Sequence, residues 1–171
     1  MAEVGINPGT DTPFWPYWNI KGGFNKSGWL EDNVSRHGRL KPTRDRIEVL
    51  CQALAPLRCL ELNLYHRYSS NEASLAKEQR DTTLFDFMLK AVKPRILLVH
   101  GAKPIMHLQR LLGVSLEKDR FTTASHLGFP LEVFASRHFA RGVSRDYVIS
   151  IGAQIKVRVF EIMSRGGKAG I

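Results

Sequence analysis

Apolar residues along this chain follow two rhythms: short continuous or alternating runs, and longer stretches in which they return every three or four positions. The first rhythm predicts strands and the second predicts amphipathic helices. Residues 3–7 form the first candidate strand, a short one halted by Pro8 and Gly9. From Thr43, apolar Ile47, Leu50, Cys51 and Leu54 keep helical spacing up to Pro56, and a second strand follows over residues 59–63. Thr83 and Asp86 stand at capping-box-like spacing, with Asp for the usual Glu, ahead of Leu84, Phe85, Met88 and Val92. Pro94 closes that helix, and residues 95–100 supply a third strand rich in branched side chains. Pro104 opens the next helix, Gly113 ends it, and residues 131–136 form a fourth strand. Ser144 caps a last helix whose face carries Val148, Ile151, Ile155, Val159 and Ile162.

Strands alternating with helices predict an α/β fold: three layers, α/β/α, with a central four-stranded, mostly parallel sheet, in one domain over residues 1–163. Residues 164–171 are small and polar and read as a loose tail. Residues 10–42 break the alternation, being rich in Trp, Gly, Pro and Asn and lacking either period. A loop of that length inside a compact domain is usually functional or disordered. Its aromatics, Phe14, Trp15, Tyr17, Trp18, Phe24 and Trp29, argue against disorder and for a lid whose rings divide between packing on the core and facing a ligand.

With 171 residues, 43% of them hydrophobic, the chain can bury one self-sufficient core and is short for two. Lys and Arg outnumber Asp and Glu by 25 to 16, giving a net charge of +9. That excess favours a polyanion partner, nucleic acid first, although solvated surface cations would give the same total. Two cysteines, Cys51 and Cys59, indicate no disulfide framework and exclude an iron–sulfur cluster held by four protein thiolates. No apolar stretch approaches bilayer length and no basic-then-apolar leader pattern is visible, so a cytoplasmic protein without a membrane partner is expected. His100, His107 and His126 have no acidic companion at ligand spacing, so neither a metal nor another cofactor is expected.

Ligands of open parallel sheets bind beyond the carboxyl ends of the strands, where this chain places Asn7, Asn63, His100 and His138. There is no P-loop, no His-Glu-x-x-His, no zinc-deaminase Pro-Cys-x-x-Cys and no Gly-x-Ser-x-Gly. The run Gly5-Ile6-Asn7-Pro8-Gly9 presents a neutral amide beside backbone N–H groups, and alone it is an ordinary turn. With three further segments it resembles the uracil-DNA glycosylase superfamily, whose mismatch-specific and single-strand-selective branches carry Gly-Ile-Asn-Pro-Gly or a close relative after the first strand. Leu60-Glu61-Leu62-Asn63-Leu64 is similar to that superfamily's second strand, and Arg95-Ile96-Leu97-Leu98-Val99-His100-Gly101-Ala102 to its third strand and Gly-containing turn. Phe134-Ala135-Ser136-Arg137-His138-Phe139 looks like the fourth strand entering a His-containing catalytic loop. The order and spacing agree from Val4 to about Ile155, and the family usually has more chain before its first motif.

The resemblance implies a monofunctional N-glycosylase that flips uracil or a related deaminated or modified base out of DNA, acting as a monomer in base-excision repair. Hydrolysis of a glycosidic bond builds cationic character on the sugar and negative charge on the departing base. His138 would donate a hydrogen bond to the base oxygen where that charge collects, helped by backbone N–H groups of the Gly5, Ile6 and Gly9 turn. Asn7, an amide that does not titrate, would orient the attacking water. Asn63 would read the O4 and N3–H of uracil side by side. Gly9 stands where the strict uracil-specific branch has Tyr, so bases larger than uracil would fit. Phe24, with Trp18 next, would be the platform for the flipped base, since stacking returns ~1–3 kcal/mol per base. The family's hydroxyl-bearing loop reads here His138-Phe139-Ala140-Arg141-Gly142, which leaves Arg141 and Gly142 to meet a phosphate or fill the gap. Arg36, Arg39, Lys41, Arg44 and Arg46 would track phosphates, a pattern equally compatible with a solvated loop. Two rivals stand beside the enzyme: a nucleic-acid-binding module of the same fold that is weak or inactive in turnover, and a nucleoside hydrolase.

Overall fold

The computed structural model describes residues 18–19, 23–24, 26–65, 75–140 and 142–166. The chain divides into two compact units, Met1–Lys41 and Pro42–Ile171. In the first, two-residue strands β1 (Trp18–Asn19) and β2 (Gly23–Phe24) pair antiparallel, and helix α1 spans Lys26–His37. This helix lies in the stretch where neither period was expected. Polar pairs one turn apart accompany it: Asn33 Nδ2 donates to the Trp29 carbonyl at 2.8 Å, and Arg36 pairs with Asp32 at 2.6 Å. Helices stabilised by such i,i+4 pairs leave no apolar stripe to read.

The second unit is a mixed α/β fold. Helix α2 (Pro42–Leu54), helix α3 (Thr83–Val92), strand β3 (Ile96–His100), helix α4 (Ala102–Leu112), strands β4 (Arg120–His126) and β5 (Phe129–Ser136), and helix α5 (Arg145–Gly166) follow in order. Among the described residues its sheet has three strands in the order β3-β5-β4, with β3 parallel and β4 antiparallel to β5. The expected four-stranded, mostly parallel sheet is therefore not what these residues form. Residues 3–7, expected as the first strand, lie outside the described residues. Residues 59–63, expected as the second, join no ladder, and Leu60 and Leu62 stay exposed while only Leu64 beyond them is buried. An alternating run satisfies the local condition for a strand, but pairing is a long-range choice that the run does not contain.

Strand β4 escaped the pattern because Arg120-Phe121-Thr122-Thr123-Ala124-Ser125-His126 is mostly polar, and because its turn is disguised. Leu127 and Gly128 both have positive φ, 48° and 81°, as a two-residue hairpin turn of the favoured hand requires. Asn usually takes the first of those places; here Leu does. The helix expected from Pro104 starts at Ala102 and ends, as expected, at Gly113 in the left-handed region. The capping box expected from Thr83 and Asp86 is replaced by Asp81, whose Oδ1 accepts from the Thr83 backbone N–H at 2.9 Å. The last helix is capped by Ser144, whose Oγ accepts from Tyr147 N at 3.1 Å. It continues to Gly166, three residues into the expected tail. Among the described residues no helix is long and apolar enough to cross a membrane.

Strand β5 sits at the centre of the core. Leu131, Val133 and Ala135 face a cluster with Phe85, Leu89, Val99, Ile105 and Leu108, from α3, β3 and α4. Phe134 faces the other cluster, with Leu50 and Leu54 of α2 and Val148, Ile151 and Ile155 of α5. Each fully buried Leu, Val or Phe contributes ~1.5–3 kcal/mol over its exposed state. Helices α2 and α5 meet closely at Gly152, where an added Cβ would stand 2.7 Å from the Cβ of Ala53. Ala53 has no longer side chain to swing away. Gly152→Val is accordingly expected to lower unfolding free energy by about 1–3 kcal/mol, measured by urea titration. An unchanged midpoint would mean that the two helices can separate freely there.

Candidate functional site

Because β3 and β5 are parallel, their carboxyl ends lie at the same edge of the sheet, with His100 opposite Ser136. The chain leaving β5 makes a tight turn in which Ala140 N donates to the His138 carbonyl at 2.7 Å. This turn sends Phe139 inward, to full burial, and leaves His138 exposed. The Phe139 ring stacks on the His100 ring at 4.5 Å between centroids and 13° between planes. The rings of His100 and His138 meet edge to face, centroids 5.4 Å apart. Gly101, with φ at 92°, brings the backbone close beneath: a Cβ there would lie 3.1 Å from His138 Cδ2. Only glycine combines that φ with that approach.

The loop between β5 and α5 is tied down on both sides. Arg46 Nε donates to the Val143 carbonyl at 2.8 Å, and Asp45 pairs with both Arg46 and Arg145. The hydrogen bond from Arg145 is the main influence holding the Asp45 carboxyl below its usual range. Arg137 lies over the Tyr147 ring at 5.6 Å, and the Tyr147 hydroxyl donates to Asp119. Burial, then that bond, pushes the Tyr147 phenol up. Arg137 and Arg145 keep 68% and 63% of their side-chain surface exposed; Arg145 is held by Asp45, and Arg137 Nε lies 3.9 Å from Asp119 Oδ2.

Of the residues singled out from the sequence, His138 stands at the sheet edge as expected, next to His100. Asn63 is exposed, in the extended segment rather than at the end of a paired strand. The Glu61 carboxylate of the same segment acts on His100, opposing the larger effects of burial and of His138 that lower its pKa. Trp18 and Phe24, the two candidate platforms, occupy partnered backbone positions in the β1–β2 ladder. Arg36, Arg39, Lys41 and Gly142 are exposed. Arg44 is engaged inside the protein by Glu48 and Glu61, the latter at 2.6 Å, and Cys51 Sγ donates to the same Glu61 at 3.6 Å. Gly5, Ile6, Asn7, Gly9 and Arg141 lie outside the described residues. The three other histidines considered part ways: His107 Nε2 lies 2.7 Å from Asp86 Oδ1, His126 packs edge-on against Phe129, and His100 joins His138. Among the described residues no group of three or more His, Cys, Asp or Glu is arranged to hold a metal ion.

Sequence reasoning gave His100 no role beyond its place at a strand end, and missed Phe139 and Arg137. The available signal was the pairing of two strand-end histidines with a large apolar residue immediately after the second. No family model, no curated protein and no solved structure matches this chain.

Burial foremost, and then the charge of His138, hold the His100 ring down from 6.5 to about 4, against the opposing pull of Glu61. Its Nδ1 is shielded from solvent and has no hydrogen-bond partner among the described residues. The consequence for stability has a definite sign. Between pH 6.5 and 4 the unfolded chain binds a proton at this residue and the native chain does not, so stability is complete above pH 6.5 and declines as pH falls toward 4. A shift of this size is worth roughly 3 kcal/mol at its low-pH limit. His100→Phe removes the titrating group, so its stability relative to wild type should rise steadily as pH drops through that window. Parallel stability curves for the two proteins, measured by urea titration at each pH, would mean that His100 titrates normally.

Proposed function

We propose that this protein is a monofunctional DNA N-glycosylase that hydrolyses the bond between deoxyribose and uracil, or a related deaminated or modified base, after flipping the nucleotide out of the stack. The observation that carries the reading is the exposed imidazole of His138, held at the shared carboxyl edge of two parallel strands by buried Phe139 and the close backbone of Gly101. As the bond between C1′ and the base nitrogen lengthens, its electron pair moves onto the base, and the base oxygen becomes the place where a hydrogen-bond donor is worth most. His138 fills that role. Water then forms the new C1′–O bond, and its proton leaves with solvent or the departing base. Asn63 reads the pyrimidine edge.

The electrostatics agree with a DNA partner. Arg137, next to His138 in the chain, carries a mostly exposed guanidinium group that meets Asp119 only at 3.9 Å, in a chain of net charge +9. Phosphates on either side of an extruded nucleotide are where such groups gain most, through counterion release. Arg44 is assigned a structural role instead, because Glu48 and Glu61 already meet its charge.

The test is a panel of oligonucleotides, each carrying one of uracil, hypoxanthine, xanthine or a C5-substituted pyrimidine, incubated with the protein and treated with alkali to cut abasic sites. Strand scission at uracil is expected. Absence of an alkali-labile product across the panel would overturn the enzyme reading, and DNA retention that weakens steeply with salt would then identify a binding module.

A further inference from the structure

Three side chains that meet at the sheet edge have unequal exposure: Phe139 is fully buried, His100 is partly buried and His138 is exposed. They form a stack that runs from the core outward. Phe139 lies flat on His100, and His100 meets the ring of His138 edge to face. His138 Cδ2 also approaches Gly101, so the imidazole sits against one neighbouring ring and one stretch of bare backbone. An exposed side chain otherwise samples several rotamers, and a hydrogen bond aimed at a developing charge counts only in the rotamer that points there.

We propose that His100 is a positioning residue for His138: braced by Phe139, its flat ring sets the orientation in which His138 meets the departing base. The role rests on the glycosylase reading for its consequence in catalysis, but the geometry it requires stands without that reading. The ring acts by shape. Its Nδ1 finds no hydrogen-bond partner among the described residues, so packing rather than a hydrogen bond at that atom holds it in place. The charged or titratable groups that act on it are His138, from the loop after β5, and Glu61, from the extended segment before residue 64. Glu61 is itself paired with Arg44 of α2. A proton on His100 would place a positive charge beside the His138 ring in a partly buried setting, and the low pKa of His100 keeps that state out of reach at neutral pH.

The test compares His100→Phe, which keeps a flat ring on Phe139, with His100→Ala, which removes it. Two readouts are taken on the full chain. The first is the nuclear Overhauser contact between the His138 ring Hδ2 and the Gly101 Hα protons, which requires no substrate. It is expected in wild type and in His100→Phe, and lost in His100→Ala. The second is single-turnover excision at saturating protein, beside DNA affinity. His100→Ala is expected to be slower by about a hundredfold, the loss that small misplacements of a reacting group bring, with affinity retained, and His100→Phe to recover most of that rate. Where His100→Ala does not fold, His100→Leu fills the volume without a flat ring and takes its place. A Gly101 contact of wild-type strength in the ring-less variant would overturn the proposal, as would a wild-type excision rate. Absence of excision in wild type would count against the glycosylase reading alone, and the Overhauser contact would still decide the role of His100.

Discussion

Strand β5 is the constraint on which the rest of the second unit depends. Leu131 and residues 133–136 are essentially closed to solvent, with β3 bonded along one edge and β4 along the other. A strand in that position must have its side chains taken up on both faces, and two helix layers supply this: α3 and α4 against Leu131, Val133 and Ala135, α2 and α5 against Phe134. The alternation of β5 thus decides which helices lie on which side. It also decides where the chain emerges, because Ser136 is the last residue of the strand and His138 can only appear beyond that edge, beside the end of its parallel neighbour.

The emergence is governed by a second contrast, between Phe139 and its predecessor. Burying a phenylalanine side chain draws the loop down onto His100, and the tight turn at residue 140 lifts the His138 ring into solvent. An apolar anchor next to an exposed polar group is an economical way to orient the latter, since the hydrophobic term restrains the backbone while leaving the functional atoms unpaired. The cost falls on His100, which is held neutral by its surroundings with one ring nitrogen unsatisfied among the described residues. Groups left in such a state cluster at functional sites, where stability is exchanged for a prepared geometry.

Strong local signals were legible in the sequence and long-range choices were not. The helices at 42–54, 83–92, 102–112 and 145–166 follow from apolar spacing, Pro and Gly punctuation and a Ser cap, and β3 and β5 follow from branched apolar runs. Strand β4 was hidden by its polar composition and by a Leu in a turn position that asparagine usually fills, and α1 by stabilising pairs that are polar. The segment at 59–63 shows the opposite failure, a clear alternating pattern that finds no partner strand among the described residues. At the site, His138 was legible as a strand-end residue within a loop motif. Its contact with His100 was not, because it depends on the parallel register that sets residue 100 opposite residue 136, a relation between segments more than thirty positions apart.

The proposed glycosylase chemistry turns on one interaction, in which His138, set by this geometry, would stabilise charge on a leaving base. The most direct test is single-turnover excision from a uracil-containing oligonucleotide with saturating His138→Ala protein, beside its affinity for the same DNA. Removal of one such donor should slow the chemical step by about a hundredfold to a thousandfold and leave affinity nearly unchanged. Excision at the wild-type rate would rule out this role for His138, because the exposed imidazole would then have no part in the reaction.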